Sequence, residues 1–124
     1  METIKTENAP KAIGPYSQAI IVNGFLFVSG QLPIDPATGD LVSGGIQEQT
    51  KQALLNVKAI VEAAGLTMTQ AVKATVLLSN MNDFTAMNEV YSTFFSNPLP
   101  ARIAFQAARL PKDALVEIDL IAAK

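Results

Sequence analysis

The first apolar segments of the chain have the composition of β-strands, and two of them are predicted to form a hairpin. Residues 19–22 and 25–29 are rich in β-branched and aromatic side chains, and Asn23 and Gly24 separate them. An Asn-Gly pair between two such runs predicts a two-residue type I′ turn, because both central residues of that turn need a positive φ. Residues 3–6 are predicted as a short edge strand that precedes the hairpin.

Two later segments carry apolar residues at intervals of three and four, the spacing of one face of an α-helix. The first covers residues 46–64, and Gly65 follows it at the position of a helix C′ glycine. The second begins after Asn82 or Asp83, either of which can cap it, and ends before Pro98.

Three further strands complete the predicted order of elements. Residues 72–79 alternate between apolar and polar side chains. Residues 101–108 follow Pro100, whose fixed φ makes the chain enter this strand in an extended conformation. Residues 115–121 form the last strand after a turn. The order of hairpin, helix, strand, helix and two strands predicts an α+β two-layer sandwich, a mixed sheet with both helices on one face. The other face remains apolar and needs a cover.

The composition predicts one domain, residues 1–124, that associates with itself. Hydrophobic residues make up 49 % of the chain and charged residues 16 %, against about 25 % charged in an ordinary soluble domain. A chain with so few charges exposes a large apolar patch as a monomer, which favours a symmetric homo-oligomer. No apolar run approaches the roughly 20 residues of a membrane span, and no signal peptide is recognised, so a cytoplasmic location without membrane partners is expected.

The residues that are missing limit the chemistry. The chain has neither His nor Cys, which excludes a thiolate nucleophile, a Ser-His dyad and imidazole ligands for zinc. The acidic residues are scattered without the spacing of a calcium loop, so neither a metal nor a cofactor is expected. General acid–base catalysis by this chain can therefore use only Glu, Asp, Lys, Tyr or water. A net charge of −2, with the nine basic residues spread singly, argues against a nucleic-acid partner.

Arg102 and Glu117 are the strongest candidates for a functional site, because both lie within predicted apolar strands. Side chains alternate between the faces of a strand, so Arg102 shares a face with Ala104, and Glu117 shares one with Asp119. We expect the two to form a charged pair. One interpretation is an ordinary structural ion pair. The other is a guanidinium that binds a small carboxylate beside a carboxylate base that activates water.

Four other residues also allow two interpretations each. Tyr16 follows a Gly-Pro pair on a stiff segment and either covers the core edge or lines a site. Ser29 and Gly30 either end a strand or allow a ligand to approach the backbone closely. Asn88 lies at the border of an apolar helix stripe, where an amide on the rim is the ordinary interpretation. That stripe, which is interpreted as core, consists of Phe84, Met87, Val90, Tyr91, Phe94 and Phe95.

Several short motifs, taken in their order and spacing, make the whole chain similar to the RidA family, also called YjgF, of enamine and imine deaminases. The motifs are Asn8-Ala9-Pro10, Ile13-Gly14-Pro15-Tyr16-Ser17-Gln18, Ser29-Gly30-Gln31-Leu32-Pro33, Asn56-Val57-Lys58-Ala59-Ile60, Asn82-Asp83-Phe84, Pro100-Ala101-Arg102, Ala108-Arg109-Leu110-Pro111-Lys112-Asp113 and Glu117-Ile118.

The resemblance implies a homotrimer with a chorismate-mutase-like fold and three sites in clefts between subunits. It also implies hydrolysis of reactive 2-imino acids, such as 2-iminopropanoate and 2-iminobutanoate, to 2-oxo acids and ammonia without a cofactor. Such an imine is already electrophilic, so orientation and charge stabilisation are the main requirements.

By matching motif, the resemblance implies that Arg102 holds the substrate carboxylate and Glu117 orients or activates the water. Tyr16 and Ser29 would line the pocket, with Gly30 allowing close approach and Asn88 near the site. Many members carry Cys where this chain has Ala104, a position that the resemblance also places at the substrate. If the backbone makes the family contact there, Ala104 leaves it intact; if the thiol makes it, the rate or the substrate range would change.

Two other functions remain open from the pattern. A trimer that binds a small 2-oxo acid without turnover, in a regulatory role, would use the same Arg102. Ribonuclease activity has been attached to relatives, but the negative net charge and the missing His weigh against it.

Overall fold

A six-stranded mixed sheet is the centre of the fold in the computed structural model, which describes residues 1–124. Its strand order is β1-β2-β3-β6-β4-β5; the β4–β5 pair is parallel and the other pairs are antiparallel. The strands are β1 Glu2–Ile4, β2 Ala19–Val22, β3 Phe25–Gln31, β4 Ala71–Leu78, β5 Ala101–Gln106 and β6 Val116–Ala123.

Two α-helices accompany the sheet, α1 at Ile46–Ala63 and α2 at Phe84–Tyr91, which confirms the predicted mixed α+β fold. Gly65 has a φ of 80° and follows the end of α1 as predicted. Helix α2 is shorter than predicted and continues only as a 3-10 turn at Ser92–Phe94. The hydroxyl groups of Ser92 and Thr93 donate back to helix carbonyls there, and this competes with further α-helical hydrogen bonding.

The core lies between α1 and one face of the central strands. Alternate residues of β3, β4 and β6 are buried there against the apolar stripe of α1 and the inner side of α2. The fully buried side chains include Leu26, Val76, Leu78, Ile118 and Leu120 from the sheet, with Leu54, Val57, Ile60, Val61 and Met87 from the helices. No helix has the length and apolarity that crossing a bilayer requires.

The face of the sheet opposite the helices, called here the open face, exposes large apolar side chains. Phe25 and Phe27 on β3 and Ile103 and Phe105 on β5 are between 45 % and 49 % exposed. The sequence predicted an apolar face without a cover, and the structure confirms it. A large exposed apolar face is a typical feature of interaction surfaces.

Two details of the predicted strands are wrong. Val72 was expected to share the buried face with Ala74, but it is 41 % exposed because the register of β4 against β6 shifts between Ala71 and Lys73. The predicted charged pair between Arg102 and Glu117 requires β5 and β6 to be neighbours, whereas β4 lies between them. The second difference decides where the candidate site residues lie.

Candidate functional site

A cleft of about 910 Å³ opens beside the end of β3 and contains four of the predicted site residues. Its walls come from the segment before β2, the loop after β3 and the turn that precedes β6. Strand β3 shifts its register against β6 between Val28 and Gln31, an irregularity that is typical of strands that border functional sites. The predicted residues in this cleft are Tyr16, Ser29, Gly30 and Glu117.

Hydrogen bonds to β3 hold the N-terminal wall of the cleft in place. The Ser29 hydroxyl donates to the Ser17 carbonyl at 2.6 Å, and the Ser29 amide donates to the Gln18 carbonyl at 2.9 Å. The buried Gln18 side chain accepts from the Thr6 amide at 2.7 Å and donates to the Pro10 carbonyl at 2.8 Å. These bonds present Tyr16, which is 52 % exposed, to the opening of the cleft.

Gly30 and Glu117 are in direct contact inside the cleft. A Cβ atom on residue 30 would lie 2.6 Å from Glu117 Oε2, so only glycine allows the carboxylate its present position. Burial raises the pKa of Glu117, and the negative charge of Asp119 raises it further. A carboxylate in such surroundings is a better proton acceptor than an ordinary surface glutamate.

Replacement of Glu117 by Gln tests this burial through stability. Because the folded-state pKa is raised, the native chain binds the proton more tightly than the unfolded chain does, and stability falls as pH rises from the unfolded to the folded pKa. We expect Glu117→Gln to remove this loss, so that the variant is at least as stable as wild type at pH 7 and shows a flatter pH profile. Denaturant unfolding between pH 4 and pH 8, at fixed protein concentration, measures the difference.

Asp113 provides a control with the opposite sign. The hydrogen bond and charge of Arg109 lower the pKa of Asp113, so its carboxylate contributes stability at pH 7 that is lost on acidification. The Asp113→Asn variant is therefore expected to be as stable as wild type at pH 7 or less stable, and not more stable. A Glu117→Gln variant that is clearly less stable than wild type at pH 7 would contradict the burial argument.

Two buried amides on α1 hold the other walls of the cleft. Asn56 is buried, and its Nδ2 donates to the carbonyls of Leu32 at 3.1 Å and Ile34 at 2.9 Å. Gln49 Oε1 accepts from the Leu115 amide at 2.8 Å. The loop after β3 and the turn before β6 are therefore both hydrogen-bonded to α1, and these bonds fix the positions of two walls of the cleft.

Asn56→Ala is expected to destabilise the protein by about 2–4 kcal/mol, because the buried Ile34 carbonyl and the partly buried Leu32 carbonyl lose their donor and a small cavity remains. Gln47→Ala is the matched control, since Gln47 lies near the N-terminus of the same helix and its side chain hydrogen-bonds only to Glu89, at the surface. Its expected change is within about 0.5 kcal/mol. Equal free energies of unfolding for the two variants would contradict the anchoring role.

The other predicted residues lie on the helix side of the sheet. Arg102 Nη1 donates to Asn88 Oδ1 at 2.7 Å, and the guanidinium carbon lies 5.4 Å from the ring centroid of Phe84 and 4.7 Å from that of Tyr91. Ala104, two residues further along β5, packs against the core. These contacts bring Arg102 and Asn88 together, as a group separate from the cleft.

The predicted pair of Arg102 with Glu117 within one chain is wrong. Arg102 is aligned with Ala74 of β4, and Glu117 is aligned with Leu77. Ala74 and Leu77 are three positions apart on one strand, so their neighbours project from opposite faces of the sheet. The two ion pairs of the chain, Lys58–Glu62 and Arg109–Asp113, include neither residue.

Some residues around both groups were not predicted as part of a site. Lys11 and Lys112 line the cleft, and Lys112 has a φ of 58° in the turn before β6. Phe84 and Tyr91 were interpreted only from their helical spacing, which correctly indicates core but says nothing of a cation on a neighbouring strand. No cluster of three or more acidic, His or Cys side chains is placed to hold a metal ion.

The fold and the site together define a class of protein: an α+β chain with an open apolar sheet face, a carboxylate in a cleft, and an unpaired guanidinium on the other side of the sheet. Residues 6–124 match the family described as Endoribonuclease L-PSP. The chain therefore belongs to this family, the RidA/YjgF family.

Relatives and solved structures agree with this assignment over nearly the whole chain. A RutC family protein of Pyrococcus horikoshii is 58 % identical over 99 % of this chain and 98 % of its own length. The 2-iminobutanoate/2-iminopropanoate deaminase of Capra hircus is 55 % identical over 96 % of this chain and 87 % of its own. The crystal structure of E. coli TdcF with bound serine has a TM-score of 0.95 and 43 % identity, covering 100 % of this chain and 99 % of that one.

Proposed function

We propose that this protein is a single-domain enzyme that hydrolyses small 2-imino acids, such as 2-iminopropanoate and 2-iminobutanoate, to 2-oxo acids and ammonia. The observation that carries the proposal is that Arg102 and Glu117 both lack an ion-pair partner in the chain. Each remains available to a substrate, and together they supply a carboxylate binder and a base. The similarity to the Capra hircus 2-iminobutanoate/2-iminopropanoate deaminase and to TdcF with bound serine supports this ligand class.

The active assembly in this proposal is a homotrimer with a chorismate-mutase-like arrangement. The open face, with Phe25, Phe27, Ile103 and Phe105 about half exposed, is the surface that the subunits would bury. Arg102 of one subunit would then meet the cleft of its neighbour. A native mass of three times the 13.2 kDa chain is expected.

The proposed reaction divides between the two groups. Arg102, with Asn88 beside it, binds the substrate carboxylate and places the imine carbon in the neighbouring cleft, where Tyr16 and Ser29 line the wall. Glu117 accepts a proton from the water whose oxygen attacks that carbon, and passes this proton to the imine nitrogen, which gives a tetrahedral intermediate with one hydroxyl and one amino group. Glu117 then moves the hydroxyl proton to the amino nitrogen as the C=O bond forms and the C–N bond breaks, so that ammonia leaves and the carboxylate is restored.

The test measures the rate of ammonia release from 2-iminopropanoate, which an amino-acid oxidase generates from alanine in the assay mixture. Wild type is expected to accelerate hydrolysis, and Glu117→Gln is expected to lose that acceleration while it still binds the product acid. Binding of 2-oxo acid without any acceleration by wild type would instead favour a binding or regulatory trimer. Absence of both would end the proposal.

Gly30→Ala is expected to lower kcat/KM by about 10²-fold, since the added Cβ displaces the Glu117 carboxylate and a shift of about 1 Å at a catalytic group has effects of that size. The fold should survive, because the three atoms nearest to the added Cβ all belong to this flexible side chain. Gly45→Ala is the matched control: a Cβ there meets nothing within 4 Å, and activity should be unchanged. A fully active Gly30→Ala variant would show that the position of Glu117 is not critical.

A further inference from the structure

The surroundings of Arg102 are neutral, although a half-buried cation ordinarily attracts an acid. One amide oxygen, Asn88 Oδ1, accepts a hydrogen bond from it at 2.7 Å. The remaining close groups are two aromatic rings, Phe84 and Tyr91, whose centroids lie 5.4 Å and 4.7 Å from the guanidinium carbon. Both distances fall inside the range of about 6 Å within which a ring attracts a cation.

The chemistry of the two rings matches what an anion-binding guanidinium needs. An acid at this place would neutralise the charge and occupy the N–H donors, whereas a ring attracts the cation through its face and uses none of the donors. Asn88 takes one of the five N–H donors of a guanidinium, so the others remain for a planar carboxylate.

Tyr91 shows that the ring, and not the hydroxyl, is what this position supplies. The side chain is 8 % exposed, and its hydroxyl is buried without a hydrogen-bond partner. Its ring also packs on Phe95, with 4.6 Å between the two ring centroids, and this contact restricts the movement of the ring. Phenylalanine would therefore keep every contact that Tyr91 makes with Arg102.

We propose that Phe84 and Tyr91 form an aromatic clamp that holds the Arg102 guanidinium charged, partly desolvated and in one orientation for the carboxylate of the substrate. They are positioning residues, because they act through Arg102. The inference rests on the proposed function for the identity of the carboxylate. The affinity of the site for the substrate carboxylate then depends on the ring faces of two residues of α2.

The experiment measures KM and kcat for imine hydrolysis and the Kd of 2-oxobutanoate by calorimetry, on the full-length protein. Tyr91→Leu and Phe84→Leu are each expected to raise KM and Kd about tenfold, the size of a partly desolvated cation–π contact, with kcat changed less than about twofold. Tyr91→Phe is expected to restore wild-type values. The ring-current shift of the Arg102 side-chain protons should disappear in Tyr91→Leu and persist in Tyr91→Phe.

Phe94→Leu is the matched control, because Phe94 also packs against the core next to α2 but its ring does not lie over Arg102. An equal rise in KM and Kd for Phe94→Leu, or unchanged values for both clamp variants, would overturn the inference. Phe84→Leu, at a half-buried position, carries the test alone if Tyr91→Leu does not fold. Should wild type bind 2-oxobutanoate without turnover, the proposed function fails while the Kd series still decides the clamp; without binding, both fail.

Discussion

Arg102→Ala is expected to lower kcat/KM for 2-imino acids by roughly 10²- to 10³-fold, since truncation of one partner of a partly buried charge pair costs about 3–4 kcal/mol. The loss should appear mainly in KM, because the guanidinium binds the carboxylate before and during the reaction. Arg102→Lys is expected to recover little. A lysine ammonium keeps the charge, but it lacks the planar fork that binds a carboxylate through two parallel hydrogen bonds.

The other arginine of the chain is the control for this experiment. Arg109 is exposed and pairs with Asp113 on the surface at 2.7 Å, and exposed pairs contribute little to stability. Arg109→Ala should leave kcat/KM within about a factor of two of wild type. Comparable losses in the two variants would mean that general charge attraction, and not the position of Arg102, supports activity.

The local elements of the fold are predictable from the sequence because local chemistry determines them. The Asn23-Gly24 turn has φ values of 51° and 80°, as a type I′ turn requires, and strands pair on both sides of it. Helix α1 begins at Ile46, as its apolar period indicates, and ends one residue earlier than predicted. In both cases the decisive contacts lie within a few residues of each other.

The order of strands is not local, and the prediction of the site failed at that point. The alternation of apolar residues gives the faces of β5 and β6 separately but does not say that β4 lies between them in a parallel pair. The face on which Arg102 lies relative to Glu117 depends on that register. The sequence could thus propose candidate residues, whereas their division into two groups required the sheet.

The buried amides show a signal that the sequence did contain. Asn56 lies three residues after Ala53 and four before Ile60, and all three are buried on α1. A polar residue inside an apolar helical stripe needs a hydrogen-bond partner, and here the partners are the carbonyls of the cleft loop. The pattern can predict that such an anchor exists but not which loop it holds, because the loop path is again non-local.

Mixing two impaired variants is expected to restore activity, measured at substrate concentrations below the KM of Arg102→Ala, if each site combines two subunits. In a closed ring, every site would take Arg102 from one subunit and Glu117 from the next. An Arg102→Ala subunit still supplies Glu117, and a Glu117→Gln subunit still supplies Arg102. When equal amounts are unfolded together and refolded, a random ring pairs two intact halves at about a quarter of its sites, so about a quarter of wild-type activity is expected.

A second mixture separates subunit complementation from any general effect of refolding. Gly30 and Glu117 line the same cleft of one chain, so a mixture of Gly30→Ala with Glu117→Gln leaves a damaged cleft half at every site. That mixture should stay at the level of its components. Activity near zero in the first mixture, with mixed rings verified by native mass spectrometry, would show that Arg102 and Glu117 do not act across a subunit boundary. Because they project from opposite faces of one sheet, catalysis by this pair would then have no structural basis.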